Sequence, residues 1–258
     1  MSSCIPNADA STLDRAAMSL DQKAHWERIY SAKGPDELSW FEAEATLSLM
    51  LIQRAVPNRD AAIIDVGAGA ATLVDGLLTA GYHRITVLDI SAAALAQAQQ
   101  RLADRATTIS WREADILTNA FPANAFDLWH DRAVFHFLTD AADRSRYVAQ
   151  VRHALRPGGY ALVATFAEDG PTRCSGLEVA RYSPAALHAE FGDEFQVVVS
   201  QQQTHHTPWG AEQSFTYCLC QYEPHASSWK VIREQQSSST PYPRVDTKYG
   251  TTAFKLCW

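Results

Sequence analysis

Between residues 61 and 167, five short apolar runs alternate with three helix-length segments, and few folds accept that order. AAIIDV (61–66), RITVLDI (84–90), TTISWREAD (107–115), AFDLWH (125–130) and GYALVATFA (159–167) have the length and composition of strands. ATLVDGLLTAG (71–81) reads as a helix stopped by Gly81. SAAALAQAQQRLADRA (91–106) reads as another, with Ser91 as N-cap. AADRSRYVAQVRHAL (141–155) is closed by Arg156-Pro157-Gly158-Gly159. Strands followed by helices of this length build βαβ units and a mostly parallel sheet. Such a sheet binds ligands beyond the carboxyl ends of its strands.

The flanks are less regular. Residues 1–20 read as a loose leader, and LDQKAHWERIY (20–30) as a helix broken at Gly34-Pro35. EATLSLMLIQRAV (44–56) is amphipathic and ends at Pro57. EDGPTRCSGLEVARYS (168–183) holds turn residues without a period, and SPAALHAEFG (183–192) is a short helix capped by Ser183. EFQVVVSQQQ (194–203) and SFTYCLCQY (214–222) look like paired strands. Three segments are therefore expected: 1–58, 59–222 and a tail, 223–258. The tail is Ser-rich at 237–239 yet carries Trp229, Tyr242, Tyr249, Phe254 and Trp258, so its state stays open.

Charge narrows the partners. With 22 Lys and Arg against 29 Asp and Glu, the net charge is -7, and phosphate binding needs clustered cations, so nucleic acid is not expected. No run approaches the roughly 20 apolar residues of a membrane span. The polar start, MSSCIPNADASTLDRAA, lacks an apolar signal core. Five cysteines (Cys4, Cys174, Cys218, Cys220, Cys257) fit no disulfide framework, which suits a reducing cytoplasm. Cys218-Leu219-Cys220 puts two thiols on one face of a strand.

The strongest local motif is IIDVGAGAAT (63–72). Gly67 and Gly69 follow the first strand and open a helix, so the backbone can turn sharply and approach a ligand closely. A dinucleotide fingerprint wants a third glycine where Thr72 stands, and a short-chain dehydrogenase wants a Tyr-x-x-x-Lys pair that the catalytic region lacks. Asp65, just before the first glycine, disfavours pyrophosphate and suits a cationic ligand. Asp89 ends the second strand, where a carboxylate can accept both ribose hydroxyls. Asp115 ends the third and is followed by Ile116, an acid for an exocyclic amine and an apolar face for a base. Three acids ending three strands, with no basic residue in the glycine loop, describe a site for a nucleoside without phosphates.

DVGAGAA (65–71), LDIS (88–91), EADI (113–116), FDLWHD (126–131) and LRPGGYALV (155–163) together resemble the class I S-adenosylmethionine-dependent methyltransferases. The resemblance covers about residues 60–220. It implies an α/β, Rossmann-like fold: a seven-stranded, mostly parallel sheet, helices on both faces and an antiparallel last strand. It implies S-adenosylmethionine as cofactor, with Gly67, Ala68 and Gly69 under its methionine part beside Asp65. Asp89 with Ile90 would take the ribose, Asp115 with Ile116 the adenine, and His130 would touch the cofactor. HWERIY (25–30) and ELSWF (37–41) are similar to a subgroup that includes protein-lysine methyltransferases. There Trp26 and Tyr30 would close over the cofactor, so that 1–58 acts as a cover. HDRAVFHFLTD (130–140) and ATFAEDGPTRCSGLEVARYS (164–183) look like a bacterial small-molecule branch, some of which methylate sulfur.

Methyl transfer from a sulfonium is an in-line displacement that needs alignment, a dry cavity and a deprotonated nucleophile. His136 is read either as a general base or as a core histidine framed by Phe135 and Phe137. Asp131 beside Arg132 is read as catalytic or as an ion pair, and Cys174 lies in a loop that can cover the acceptor. Trp40, Arg132, Arg181, Tyr182 and His206 are the expected acceptor contacts, and no metal site is expected. The expected activity is methyl transfer to a small molecule, a thiol or sulfide sulfur first. A protein lysine is the alternative, and a non-catalytic nucleoside-binding module is the rival from another class.

Overall fold

A computed structural model describes residues 10–224 of the chain. Its strands are β1 (Ala62–Val66), β2 (Arg84–Asp89), β3 (Ser110–Glu113), β4 (Phe126–Arg132), β5 (Leu155–Phe166), β6 (Arg173–Cys174), β7 (Leu177–Glu178), β8 (Phe195–His206) and β9 (Glu212–Tyr222). Seven of them form one sheet in the order β3-β2-β1-β4-β5-β9-β8. β1 to β5 run parallel, and β9 is antiparallel to both β5 and β8. The order reverses between β1 and β4, so the chain crosses outward from the middle in both directions. The carboxyl ends of β1, β2 and β4 therefore open a crevice at the switch point.

The helices are α1 (Ala10–Ala32), α2 (Thr46–Ala55), α3 (Leu73–Thr79), α4 (Ala92–Leu102), α5 (Ala141–Ala154) and α6 (Pro184–Phe191). β1 shows how they layer. Ile63 joins a core with Leu51 of α2, Leu77 of α3 and Leu95 of α4. Ile64 and Val66 point the other way, into a core with Val148 of α5 and Leu187 of α6. The strand is buried on both faces, which is why AIIDV reads as an unbroken apolar run. The Ser91, Asp140 and Ser183 side chains accept N-terminal amides of α4, α5 and α6. α1, α2 and the sheet belong to one compact unit that ends at Pro224.

The structure departs from the sequence reading in four places. α1 begins at Ala10, inside the stretch read as a leader. β5 begins at Leu155, before the Pro157-Gly158-Gly159 turn. Leu155 pairs with Phe126 and the ladder resumes at Tyr160 with Leu128, so the turn bulges out of a strand already started. α4 stops at Leu102, where Ala103 has φ 50 and a 3-10 segment (Ala103–Thr108) takes over. The segment 168–183 contains a hairpin, β6–β7, turned by Ser175 (φ 49) and Gly176 (φ 82). Two left-handed residues are what a type I′ turn needs, and Ser-Gly supplies them. Cys218 and Cys220 do share a strand face, with sulfurs 3.5 Å apart.

No helix among the described residues is long and apolar enough to cross a membrane. Residues 225–258, which hold most of the expected tail and Cys257, lie outside the described residues, as does Cys4.

Candidate active site

The glycine loop is folded by its neighbours. The Gly67 and Ala68 amides donate to the Leu88 carbonyl at 2.7 and 3.3 Å. Gly67 (φ +60) and Gly69 (φ +54) are both left-handed. A Cβ on Gly67 would lie 1.9 Å from a Val134 methyl, and one on Gly69 would lie 2.2 Å from the Tyr30 hydroxyl. Only glycine fits either position. The twenty-residue spacing from Gly69 to Asp89 is realised as a bond: the Gly69 amide donates to Asp89 Oδ2 at 2.8 Å. Ser91 donates to Oδ1 at the same distance.

A cavity of about 310 Å³ opens beyond these strand ends. Gly67, Asp89, Ile90, Asp115 and Ile116 line it from the sheet side. Trp26 and Tyr30 of α1, Trp40, Arg132, and Cys174 from the β6–β7 hairpin line the rest. Asp89 is 4% exposed, and burial outweighs its two amide bonds to push its carboxyl up to about 6. Asp115 accepts the Leu117 amide (2.8 Å) and the Ser19 hydroxyl (2.6 Å).

α1 lies across this opening. Lys23 pairs with Glu113, and the Glu27 carboxylate accepts the Ala92 and Ala93 amides (2.6 and 3.1 Å) at the start of α4. A carboxylate there satisfies free N–H groups and favours the positive end of the helix. Gln97 of α4 donates to the Tyr30 and Lys33 carbonyls, fastening the other end of α1.

Residues 63–159 match the family described as a methyltransferase domain, the span that carries β1 to α5 and the acids just described. Over that span the chain carries a methyltransferase domain. The eEF1A lysine and N-terminal methyltransferase of Danio rerio is 27% identical over 162 residues, 62% of this chain and 23% of that protein. This chain thus spans about a quarter of that relative's length. It superposes, with a TM-score of 0.63 at 15% identity, on a structure solved for the conversion of a disulfide bond into a thioacetal group during echinomycin biosynthesis. That match covers 85% of this chain and 100% of the other. The N-methyltransferase NodS of Bradyrhizobium japonicum WM9, solved with S-adenosylhomocysteine, gives 0.60 at 18% identity, covering 78% and 97%. Both solved structures share the fold.

The cavity's lining fits S-adenosylmethionine, the cofactor expected from the sequence. Its wall offers two carboxylates to a neutral nucleoside, apolar Ile90 and Ile116 to a base, and no cation in the glycine loop. Backbone room is kept where a Cβ would intrude.

Several expected residues lie elsewhere. Asp65 and His130 turn inward and pair at 2.6 Å, with His130 Nε2 2.9 Å from the Ser48 hydroxyl. With Ala68 they border a separate space of about 40 Å³ behind the glycine loop. Gly69 shapes the loop without lining the cavity. Asp131 is fully buried and accepts the Val134 and Phe135 amides and the Tyr147 hydroxyl. Burial raises its carboxyl to about 6. It does not pair with Arg132, whose partner is Glu42 at 3.0 Å.

His136 has no exposed surface and lies outside the cavity wall. It packs between Phe137 and Phe166, with ring centroids 4.5 and 4.7 Å away, and burial pulls its imidazole down to about 3. The general-base placement is therefore replaced by the core one. Tyr182 is a core residue against Phe135, and exposed Arg181 donates to the Glu168 and Gly170 carbonyls. His206 is exposed while its neighbour His205 is buried. Cys174 does face the cavity, but burial pushes its thiol up to about 11, so it stays protonated. Phe137, Leu177 and Glu178 line the cavity without having been expected there. The first was hidden by attention to His136, the others by the unrecognised hairpin.

Proposed function

We propose that this methyltransferase transfers the cofactor's methyl group to a small sulfur nucleophile, a thiol or a sulfide. The observation that carries this is the acceptor side of the cavity. Trp26, Trp40, Phe137 and Leu177 wall it, and among the described residues no histidine or lysine lines it. Its Arg132 is engaged by Glu42, and its Glu178 stands 3.4 Å from Arg173. A thiol near pKa 8.5 needs little help to form its anion at neutral pH, and a sulfide has no proton to lose. An amine near 10.4 needs a base or strong desolvation.

Bound S-adenosylmethionine supplies an electrophilic methyl on a sulfonium. The chain's own residues bind and orient. Asp89 accepts the ribose hydroxyls, Asp115 accepts the adenine amine, and Ile90 and Ile116 hold the base. Residues 1–58 are the cover and 59–222 the catalytic core, with Trp26 and Tyr30 keeping water from the reacting atoms.

A second reading is methyl transfer to a protein amine. The Danio rerio relative supports it by name, and aromatic walls would desolvate an ammonium. Labelled S-adenosylmethionine offered with thiols, sulfides, amines, carboxylates and a cell lysate separates the readings. Label in a thioether or sulfonium product is expected. Label only in protein amines overturns the sulfur proposal, and cofactor binding without transfer to any acceptor leaves a nucleoside-binding module.

A further inference from the structure

Glu42, Arg132 and His205 form a cluster that the cofactor does not need. They come from three distant parts of the chain and meet beside Trp40. The loop between Leu38 and Glu42 is a turn closed by the Phe41 amide on the Leu38 carbonyl at 3.1 Å, which leaves the Ser39 and Trp40 carbonyls to side chains. Two side chains supply the donors. His205 Nε2 reaches the Ser39 carbonyl at 2.7 Å, and Arg132 Nη1 reaches the Trp40 carbonyl at 2.8 Å.

Glu42 links the two side chains. It accepts from Arg132 Nη2 at 3.0 Å and faces His205 Nδ1 at 3.6 Å, an electrostatic contact longer than a hydrogen bond. Burial would raise the Glu42 carboxyl, but His205 and Arg132 together hold it below its ordinary value. Arg132 is further fixed by the Tyr217 hydroxyl (3.0 Å) and by the face of Phe215, 4.5 Å from its guanidinium carbon. The other side of the loop is tied by the Thr72 hydroxyl to the Glu42 carbonyl at 3.0 Å.

We propose that His205 is a positioning residue of the acceptor pocket: through the Ser39 carbonyl and Glu42 it sets the loop that presents Trp40 and holds Arg132 at the cavity. This rests on the methyltransferase reading of the site. His205 touches no reacting atom; it acts through the loop. β8 is an edge strand of the sheet, so the hairpin it forms with β9 buttresses the Trp40 loop from outside without lining the cavity. The pair His205-His206 thus divides its roles, with the buried ring holding the loop and the exposed one free of it.

The test uses His205→Gln and Glu42→Gln in the full chain, with His206→Gln as control. Hydrogen exchange across 38–45 is expected to quicken at least tenfold in His205→Gln, while that of 67–71 and S-adenosylhomocysteine affinity stay within twofold of wild type. With a turned-over acceptor, KM rises at least tenfold in both variants, and His206→Gln matches wild type. Unchanged exchange in 38–45 overturns the proposal, as does a cofactor affinity that falls as far as KM rises. Should His205→Gln not fold, Glu42→Gln, which keeps the imidazole, decides by the same two readouts. The exchange measurement needs no acceptor. A wild type that binds S-adenosylhomocysteine and methylates nothing overturns the sulfur reading, while exchange still decides the role of His205.

Discussion

Cofactor affinity is expected to fall in acid because Asp89 competes for its charge. The carboxylate sits 4% exposed, and burial lifts it from 3.8 to about 6. That displacement corresponds to about 3 kcal/mol between its two protonation states. On the proposed assignment, ribose hydroxyls donate to the ionised form, so binding favours ionisation. The sign follows: with a raised folded pKa, the proton stays bound up to about pH 6 and must leave for the cofactor to be held. S-adenosylhomocysteine affinity should be flat above about pH 6.5 and fall about tenfold per unit below 6. If binding returns the group to its ordinary range, the full loss is about 100-fold. Calorimetry at pH 7.5, 6.5, 5.5 and 4.5 measures it. Asp89→Asn should bind at least tenfold more weakly at pH 7.5 and show no acid fall. A flat wild-type profile down to pH 5, or Asp89→Asn binding as tightly as wild type, refutes the assignment.

The other expectations are read by different measurements. His136 has a depressed pKa, so its contribution to stability is present above 6.5 and is lost as pH falls toward 3, at about 1.4 kcal/mol per unit. His136→Leu should flatten the acid side of the melting profile with kcat within twofold; a tenfold loss of rate in folded protein would return His136 to the chemistry. Gly69→Ala must hold a left-handed φ and move the Tyr30 hydroxyl, a loss of about 2–5 kcal/mol seen in thermal unfolding. Tyr30→Phe in the same chain should recover part, since the next atom would be 3.0 Å away. Glu27→Gln weakens the hold on α4 by about 0.5–1 kcal/mol and should speed S-adenosylhomocysteine release in stopped flow; an unchanged off-rate contradicts a covering role for α1.

What the sequence made legible was whatever depends on spacing along one strand and its turn. Gly67, Gly69, Asp89, Asp115 and Ile116 stand within one βαβ array, and the structure brings them together as the spacing required. Legibility ended where a side chain's direction depends on distant chain. His130 was placed at the right strand end, but its direction is set by Ser48, 82 residues away. Arg132 found Glu42, 90 residues back, rather than the acid beside it, because neighbours on a strand point to opposite faces. His136 was framed by Phe135 and Phe137, and that frame marked a core turn rather than a pocket wall.

α1 spans 23 residues, about 35 Å at the rise of an α-helix. Ser19, on the adenine side, and Trp26, on the acceptor side, are two turns apart on it, about 10 Å along the axis. A rigid rod cannot lift from one without disturbing the other. Opening a path for the spent nucleoside therefore loosens the acceptor wall as well.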